Sequence, residues 1–331
     1  MTIKKMLRYL SALAVVAVAV YFFYLQFKKN AGAIRTWDFS INPVEMSLAV
    51  IFGSCALLIG PVVWRIFVNS YLTEKLNYTE SFALYCTSAI FKYIPGKIWT
   101  YAAQIALLSS KGIASVTLLY INLVSFICLF FVTALFSLYY YFIYVREMSL
   151  HATLPIFMLF LLMDAIFIIG NHTIINYLIR PVNRLFNLNI KPIHTHKTTF
   201  IQVQMLYALA CVLLGIALYF LARGVNMPLS FSHIFAMMAT ISVSLILGLL
   251  AFFTMGGLGV REGAMFFMLK QFATIEAALI LPVISRLLIT AVELLMGLMG
   301  IMIGMKYHYF SQWEKYRQND ILEEETQTET L

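Results

Sequence analysis

Long runs of apolar residues, separated by short polar stretches, organise this chain. Apolar segments run from after Arg8 to Phe27, then over about Val44 to Val63, Ala114 to Tyr144, Leu154 to Ile179, Phe200 to Ala222, Phe231 to Phe252 and Ala277 to Met305. Each is about 20 residues or longer, the length a helix needs to cross about 30 Å of hydrocarbon. None alternates with period two over about 10 residues, as strands of a membrane barrel do. The pattern predicts an all-α, polytopic transmembrane helix bundle of about 7–8 spans. Two further stretches, Glu80 to Ser110 and Phe253 to Glu276, are apolar enough to enter a membrane but are interrupted by Pro or Gly and carry charge. They are expected to be broken or re-entrant.

Composition agrees with that reading. Of 331 residues, 62% are hydrophobic and 11% charged, and the mean hydropathy is +0.86. A soluble domain is about 45–50% apolar and about 25% charged. The formal net charge is +8. The basic residues mostly flank apolar runs, so they act as topology signals and lipid contacts rather than as a nucleic-acid surface. Lys4, Lys5 and Arg8, and the loop bearing Arg180, Arg184, Lys191 and Lys197, are expected on the cytoplasmic side. This needs Glu80 to Ser110 to dip in and return, and Lys28, Lys29 and Arg35 run against it. Lys306, Lys315 and Arg317 favour a cytoplasmic C-terminus, which requires Phe253 to Glu276 to cross. Residues 1–310 read as one integral membrane domain and 311–331 as a polar, acidic, disordered tail.

The chemistry concentrates at the two breaks. In FKYIPGKIW, Phe91 to Trp99, Pro95 and Gly96 stop the helix between Lys92 and Lys97. These lysines either hold an anion at depth or snorkel to an interface beside Tyr93 and Trp99. In FTMGGLGVREG, Phe253 to Gly263, Gly256, Gly257 and Gly259 permit positive φ and close backbone approach. A helix starting near Arg261 would offer backbone N–H groups and a guanidinium to a phosphate, with Glu262 in its first turn. A tight surface turn with a solvated Arg-Glu pair would use the same residues. Arg286 and Glu293 share a helix face and point inward, and Asp164 marks another helix as cavity-lining, gating or simply bonded between helices. The four cysteines, Cys55, Cys86, Cys128 and Cys211, read as buried apolar groups. No metal site, cofactor motif or catalytic set emerges, and no ATPase motif.

The two motifs YIPGKIW (Tyr93 to Trp99) and GGLGVREG (Gly256 to Gly263), with Arg286 in ISRLL, resemble the lysylphosphatidylglycerol synthase transmembrane-region family, the flippase-like membrane proteins. The resemblance covers about residues 5 to 308. It implies a multi-spanning protein of the bacterial or archaeal cytoplasmic membrane that moves a phospholipid or a lipid-linked envelope intermediate. Membrane lipids, lipid-linked glycan intermediates and envelope biosynthesis proteins are the implied partners. The sequence carries no soluble aminoacyl-transferase domain, so synthesis of an aminoacyl lipid is not expected. The expected function is a flippase rather than an enzyme. The alternatives are a glycosyltransferase-type enzyme using a polyprenyl-phosphate donor and a scaffold for envelope synthesis.

Overall fold

Asn42 caps the first long helix, its Oδ1 accepting from the N–H groups of Val44 and Glu45, with Pro43 in the first turn where its missing N–H costs nothing. The computed structural model describes residues 40–307, except the segments 94–97, 109–110, 143–145, 187–195, 252–253 and 255–256 and positions 112, 148 and 228; Tyr24 and Lys28 are also described. Within these residues all regular secondary structure is helical. The helices are α1 (Pro43–Asn69), α2 (Tyr78–Ile90), α3 (Ile98–Leu108), α4 (Ser115–Tyr140), α5 (Leu150–Phe186), α6 (Lys197–Gly224), α7 (Ile234–Leu250), α8 (Val260–Leu269) and α9 (Ile275–Lys306). Six of the helical segments are long and apolar enough to cross a membrane: Pro43–Asn69, Ser115–Tyr140, His151–Gly170, Lys197–Gly224, Phe231–Leu250 and Ile275–Lys306. These match six of the expected spans. The N-terminal apolar run and the acidic tail lie outside the described residues.

The three remaining helices, α2, α3 and α8, take part in two hairpins, α2 with α3 and α8 with α7. Helix α2, with 13 residues, and α3, with 11, are about 20 and 16 Å long at a rise of about 1.5 Å per residue, too short to span alone. A capping box between Asn77 and Glu80 starts α2, and a short 3-10 turn at Phe91–Tyr93 ends it. Glu80, in the first turn of α2, lies 3.9 Å from Lys111, just beyond α3. The two ends therefore meet on one face, and the segment enters the bundle and returns. The second hairpin is α7 with α8. Here His233, before α7, stacks on Phe272, beyond α8, with ring centroids 5.8 Å apart.

The hairpins open on opposite faces. Leu72, Leu76 and Leu108, around the mouth of the first, share a core cluster with Phe200 and Val203 at the start of α6. Ile234 and Leu269, at the mouth of the second, share another with Leu221, Ala222 and Val225 at the end of α6. Helix α9 runs the full depth between them, from Ala277 in the second cluster to Ile303 against the first. Lys306 thus ends on the face where α6 begins at Lys197. After α7 the chain returns through α8 to the face where α7 began, and α9 starts from that face.

Close packing of α2 on α9 holds the first hairpin. A Cβ on Gly300 would stand 3.1 Å from the Ala83 carbonyl oxygen and from the Thr87 N–H and Oγ1, and one on Gly297 would collide with Ile90. Small residues allow such crossings where lipid supplies no hydrophobic drive between helices. Gly300→Ile is expected to force α2 off α9 and to destabilise the protein by about 1–3 kcal/mol, the usual cost of overpacking. A thermal melt in detergent measures this, and an unchanged transition would contradict the packing account. Cys86, Cys128 and Cys211 are buried as expected, whereas Cys55 is exposed on the lipid-facing side of α1.

Candidate functional site

The tips of the two hairpins meet beside the middle of α9. Lys92, in the turn after α2, sits 2.5 Å from Glu293 Oε1, and the Tyr93 hydroxyl donates to Glu293 Oε2 at 2.5 Å. One α-helical face of α9 carries both Glu293 and, seven residues earlier, Arg286. Arg286 Nε lies 3.4 Å from Glu262 Oε1, with both side chains about nine-tenths buried. The rigid α9 thereby ties one hairpin through Glu293 and the other through Arg286. Lys92 does not snorkel to an interface with Tyr93; both turn inward onto one carboxylate.

The glycine-rich motif serves mainly to seat an arginine. Gly257 and Gly259 have φ of +80° and +84°, a region that only glycine occupies freely. The Arg261 side chain runs through the gap between Gly257 and Gly248 of α7. A Cβ on Gly257 would come within 2.9 Å of Arg261 Cδ and 3.0 Å of the Gly248 Cα, and one on Gly248 within 2.6 Å of Arg261 Cδ. Ser244 of α7 donates to the Arg261 carbonyl at 3.1 Å, which pins the start of α8. The Gly259 N–H is not offered to a ligand as the sequence suggested. It donates to Glu262 Oε2 at 2.6 Å, so the chain's own carboxylate fills that anion position.

Among the described residues, Arg261 has no carboxylate within ion-pair distance, although Glu293, Glu262 and Arg286 all lie within electrostatic reach. Among the described residues, three cations, Lys92, Arg261 and Arg286, face two carboxylates, Glu262 and Glu293. Beside them a cavity of 340 Å³ opens. Lys92, Arg261 and Glu293 line it on one side and Thr100, Gln104 and Asn122 on another, with Leu57, Leu214, Leu245 and Ile289 completing the wall. Hydrogen bonding joins the two amides, Asn122 Nδ2 donating to Gln104 Oε1 at 2.7 Å.

The structure thus brings Lys92, Gly257, Gly259, Arg261, Glu262, Arg286 and Glu293 together. Lys97 and Gly256 lie outside the described residues. Asp164 stands elsewhere: its Oδ1 accepts from Gln204 Nε2 at 2.6 Å across α5 and α6, and it is not part of the cavity wall. Asp164→Asn keeps that acceptor and is expected to cost the fold no more than about 0.6 kcal/mol, the average worth of a hydrogen bond between membrane helices. A thermal melt in detergent measures this, and a drop of many degrees would contradict a purely interhelical role. Gly248, Thr100, Gln104 and Asn122 were missed by sequence reasoning. The two amides and the threonine were visible as polar residues inside apolar helices; Gly248 gave no signal, because its role is to face Arg261.

A family model described as the lysylphosphatidylglycerol synthase TM region matches residues 9–297. The chain belongs to this family. A search of curated proteins gave no significant match. The lysylphosphatidylglycerol synthase TM region family and the six apolar helices make this a multi-pass membrane protein. The matched range contains both hairpins and α9 through Glu293, and hence every residue of the cluster.

Proposed function

We propose that this protein translocates a lipid with an anionic headgroup, a phospholipid or a lipid-linked envelope intermediate, across the cytoplasmic membrane. One observation carries the reading. A cavity lined, among the described residues, by two cations, Lys92 and Arg261, and one carboxylate, Glu293, lies between two hairpins that open on opposite faces of a membrane protein. Broken helices that meet at mid-depth are how transport proteins place irregular backbone and charge where lipid cannot reach them. A headgroup leaving one leaflet loses its water, and burying an unpaired ion in an apolar medium is prohibitive. Arg261 and Lys92 supply the compensating charge, and Glu293 and Glu262 hold the cations of the cluster in place. The apolar wall of Leu57, Leu214, Leu245 and Ile289 suits the start of the acyl or prenyl chains.

Envelope biosynthesis proteins are the expected partners, the two basic ends of α6 and α9 face the cytoplasm, and no chemical conversion of the lipid is part of this reading. An enzyme acting on a polyprenyl-phosphate donor would need a carboxylate poised to take a proton. Glu262 and Glu293 are both engaged by cations and by an N–H or O–H donor. The test uses purified protein in vesicles that contain acyl-labelled phosphatidylglycerol, with quenching of the outer-leaflet label. The label of the inner leaflet is expected to become accessible at a rate proportional to protein. Release of a free sugar or phosphate from a polyprenyl-phosphoryl sugar, without lipid movement, would replace the proposal with the enzyme reading.

A further inference from the structure

We infer that lipid passes between the cavity and the bilayer through the seam between α1 and α9, its hydrocarbon chain lodged in the seam while its headgroup meets Arg261. The inference rests on the translocation reading and adds the doorway and the leaflet it serves. The two helices start from the same face. Asn42, at the start of α1, donates its backbone N–H to the Gly224 carbonyl at the end of α6, and Ala49 shares a core cluster with Ala277 and Leu281 of α9. Over the other half of the membrane α2 stands between them. Ser81 of α2 donates to the Pro61 carbonyl of α1 at 2.9 Å, and Gly297 and Gly300 of α9 close on Ile90, Ala83 and Thr87. Helix α2 stops at Ile90, where Ala89 and Lys92 line the cavity. Beyond its tip α1 and α9 face each other directly: a Cβ on Gly53 would stand 3.7 Å from Leu288 Cδ2.

The seam continues the cavity. Ala49, Gly53, Ala217 and Leu288 line it, and Leu214 and Ile289 belong both to it and to the cavity wall. From Ala49 to Leu57, which faces the cavity, α1 rises about 12 Å. That is most of one leaflet of a hydrocarbon core about 30 Å thick, so an acyl or prenyl chain in the seam runs along its natural direction. The crevice measures 20 Å³, room for about one water, so a chain enters only when the helices part. Each helix is fastened elsewhere. Arg223 of α6 lies 3.0 Å from Glu45 of α1 and Phe52 stacks on Phe220, while α9 is held by Lys92 and by Glu262 of α8. Among the described residues the one polar side chain of the seam, Ser285, donates to the Pro282 carbonyl of its own helix. Parting the seam therefore breaks no hydrogen bond across it and exchanges leucine contacts for lipid contacts that are equally apolar. Pro282 removes one bond from the α9 ladder at this level, which lets the helix bend. Val50 and Leu287, beside the seam, are exposed. The doorway serves the leaflet on the side where α1 and α9 begin, opposite the face of Lys197 and Lys306.

The test closes the seam reversibly. In a Cys55→Ser background, Gly53→Cys and Leu288→Cys are joined by a short bifunctional thiol reagent that reduction removes, and the protein is studied in vesicles with acyl-labelled phosphatidylglycerol. The joined form should move the lipid about tenfold more slowly or worse, and reduction should restore the rate. Phe131→Cys with Phe160→Cys, which fastens α4 to α5 away from the seam, should change the rate by less than about twofold with the same reagent. In a second arm, phosphatidylglycerol with a photoreactive group near the start of its acyl chain is activated. Adducts are expected on the α1 and α9 peptides that line the seam, reduced severalfold by Arg261→Gln and by the seam link, while adducts on the lipid-facing surface of α5 stay unchanged. Undiminished movement through a closed seam, or equal slowing by the α4–α5 link, would overturn the inference and leave translocation standing. Seam adducts that depend on Arg261, without movement of any lipid, would support the doorway and reject the translocation reading. Seam adducts indifferent to both Arg261→Gln and the link would reject the doorway, because they would report only bulk lipid.

Discussion

Arg261→Gln is expected to slow movement of an anionic lipid by about ten- to a hundredfold. A hydrogen bond to a charged group is worth about 1.5–3 kcal/mol, and about 1.4 kcal/mol is a factor of ten. The protein itself should stay folded with an unchanged or slightly raised thermal transition. Among the described residues Arg261 has no carboxylate partner, so its removal strands no counter-charge and relieves repulsion with Arg286. Glutamine is shorter but keeps the Cγ and Cδ atoms that fill the space between Gly248 and Gly257. Arg261→Lys tests geometry against charge. Lysine keeps the charge but not the planar fork that matches two phosphate oxygens, so partial activity is expected. Full activity in Arg261→Gln, measured as label accessibility in vesicles, would remove Arg261 from the route.

Glu293→Ala is expected to do the opposite kind of damage. Its carboxylate holds Lys92 and Tyr93 together at the tip of the first hairpin. Taking away one partner of a buried pair leaves the other charge uncompensated, at a cost of about 3–5 kcal/mol. The Glu293 side chain keeps 15% exposure and Lys92 29%, so the lower end of that range, about 3 kcal/mol, is the expected loss. Lys92 would then face Arg261 and Arg286 with one carboxylate fewer among three cations. The double change Lys92→Met with Glu293→Leu separates stability from function. Replacing both members by apolar groups is often neutral or stabilising, so the melting transition should recover. Translocation should not recover, because one of the cations that meets the anion is gone. A double variant as unstable as Glu293→Ala would show that the pair acts through some wider network, and one that still transports would exclude Lys92 from the headgroup route.

Much of this was readable along the chain, and the limits are instructive. Apolar length alone located six helices, since a segment such as SVTLLYINLVSFICLF admits few other structures. The two breaks stood out because charge and Pro or Gly inside apolar sequence are rare without a reason. Spacing also placed Arg286 and Glu293 on one face. What periodicity could not provide was the partner of each. Glu293 meets Lys92 and Tyr93 from about 200 residues away, and only the crossing of α2 over the glycines of α9 sets that meeting. The glycine motif was expected to present amides to an anion. Instead Glu262 caps its own helix and the glycines make room for the Arg261 side chain, a distinction that rests on where α7 lies. Thr100, Gln104 and Asn122 show the same limit. A polar residue in an apolar helix announces a partner, but not whether that partner is protein or ligand.

The central claim is that an anionic headgroup occupies the cavity between the hairpin tips. It is tested most directly by a structure of the protein in a lipid nanodisc containing a saturating amount of an anionic phosphodiester lipid. The account predicts phosphate density within about 4 Å of the Arg261 guanidinium, the reach of an ion pair, with the hydrocarbon chains leaving past Leu245 and Ile289. Lipid ordered only around the exposed outer surface, with Arg261 turned to a protein carboxylate and no headgroup density in the cavity, would contradict it.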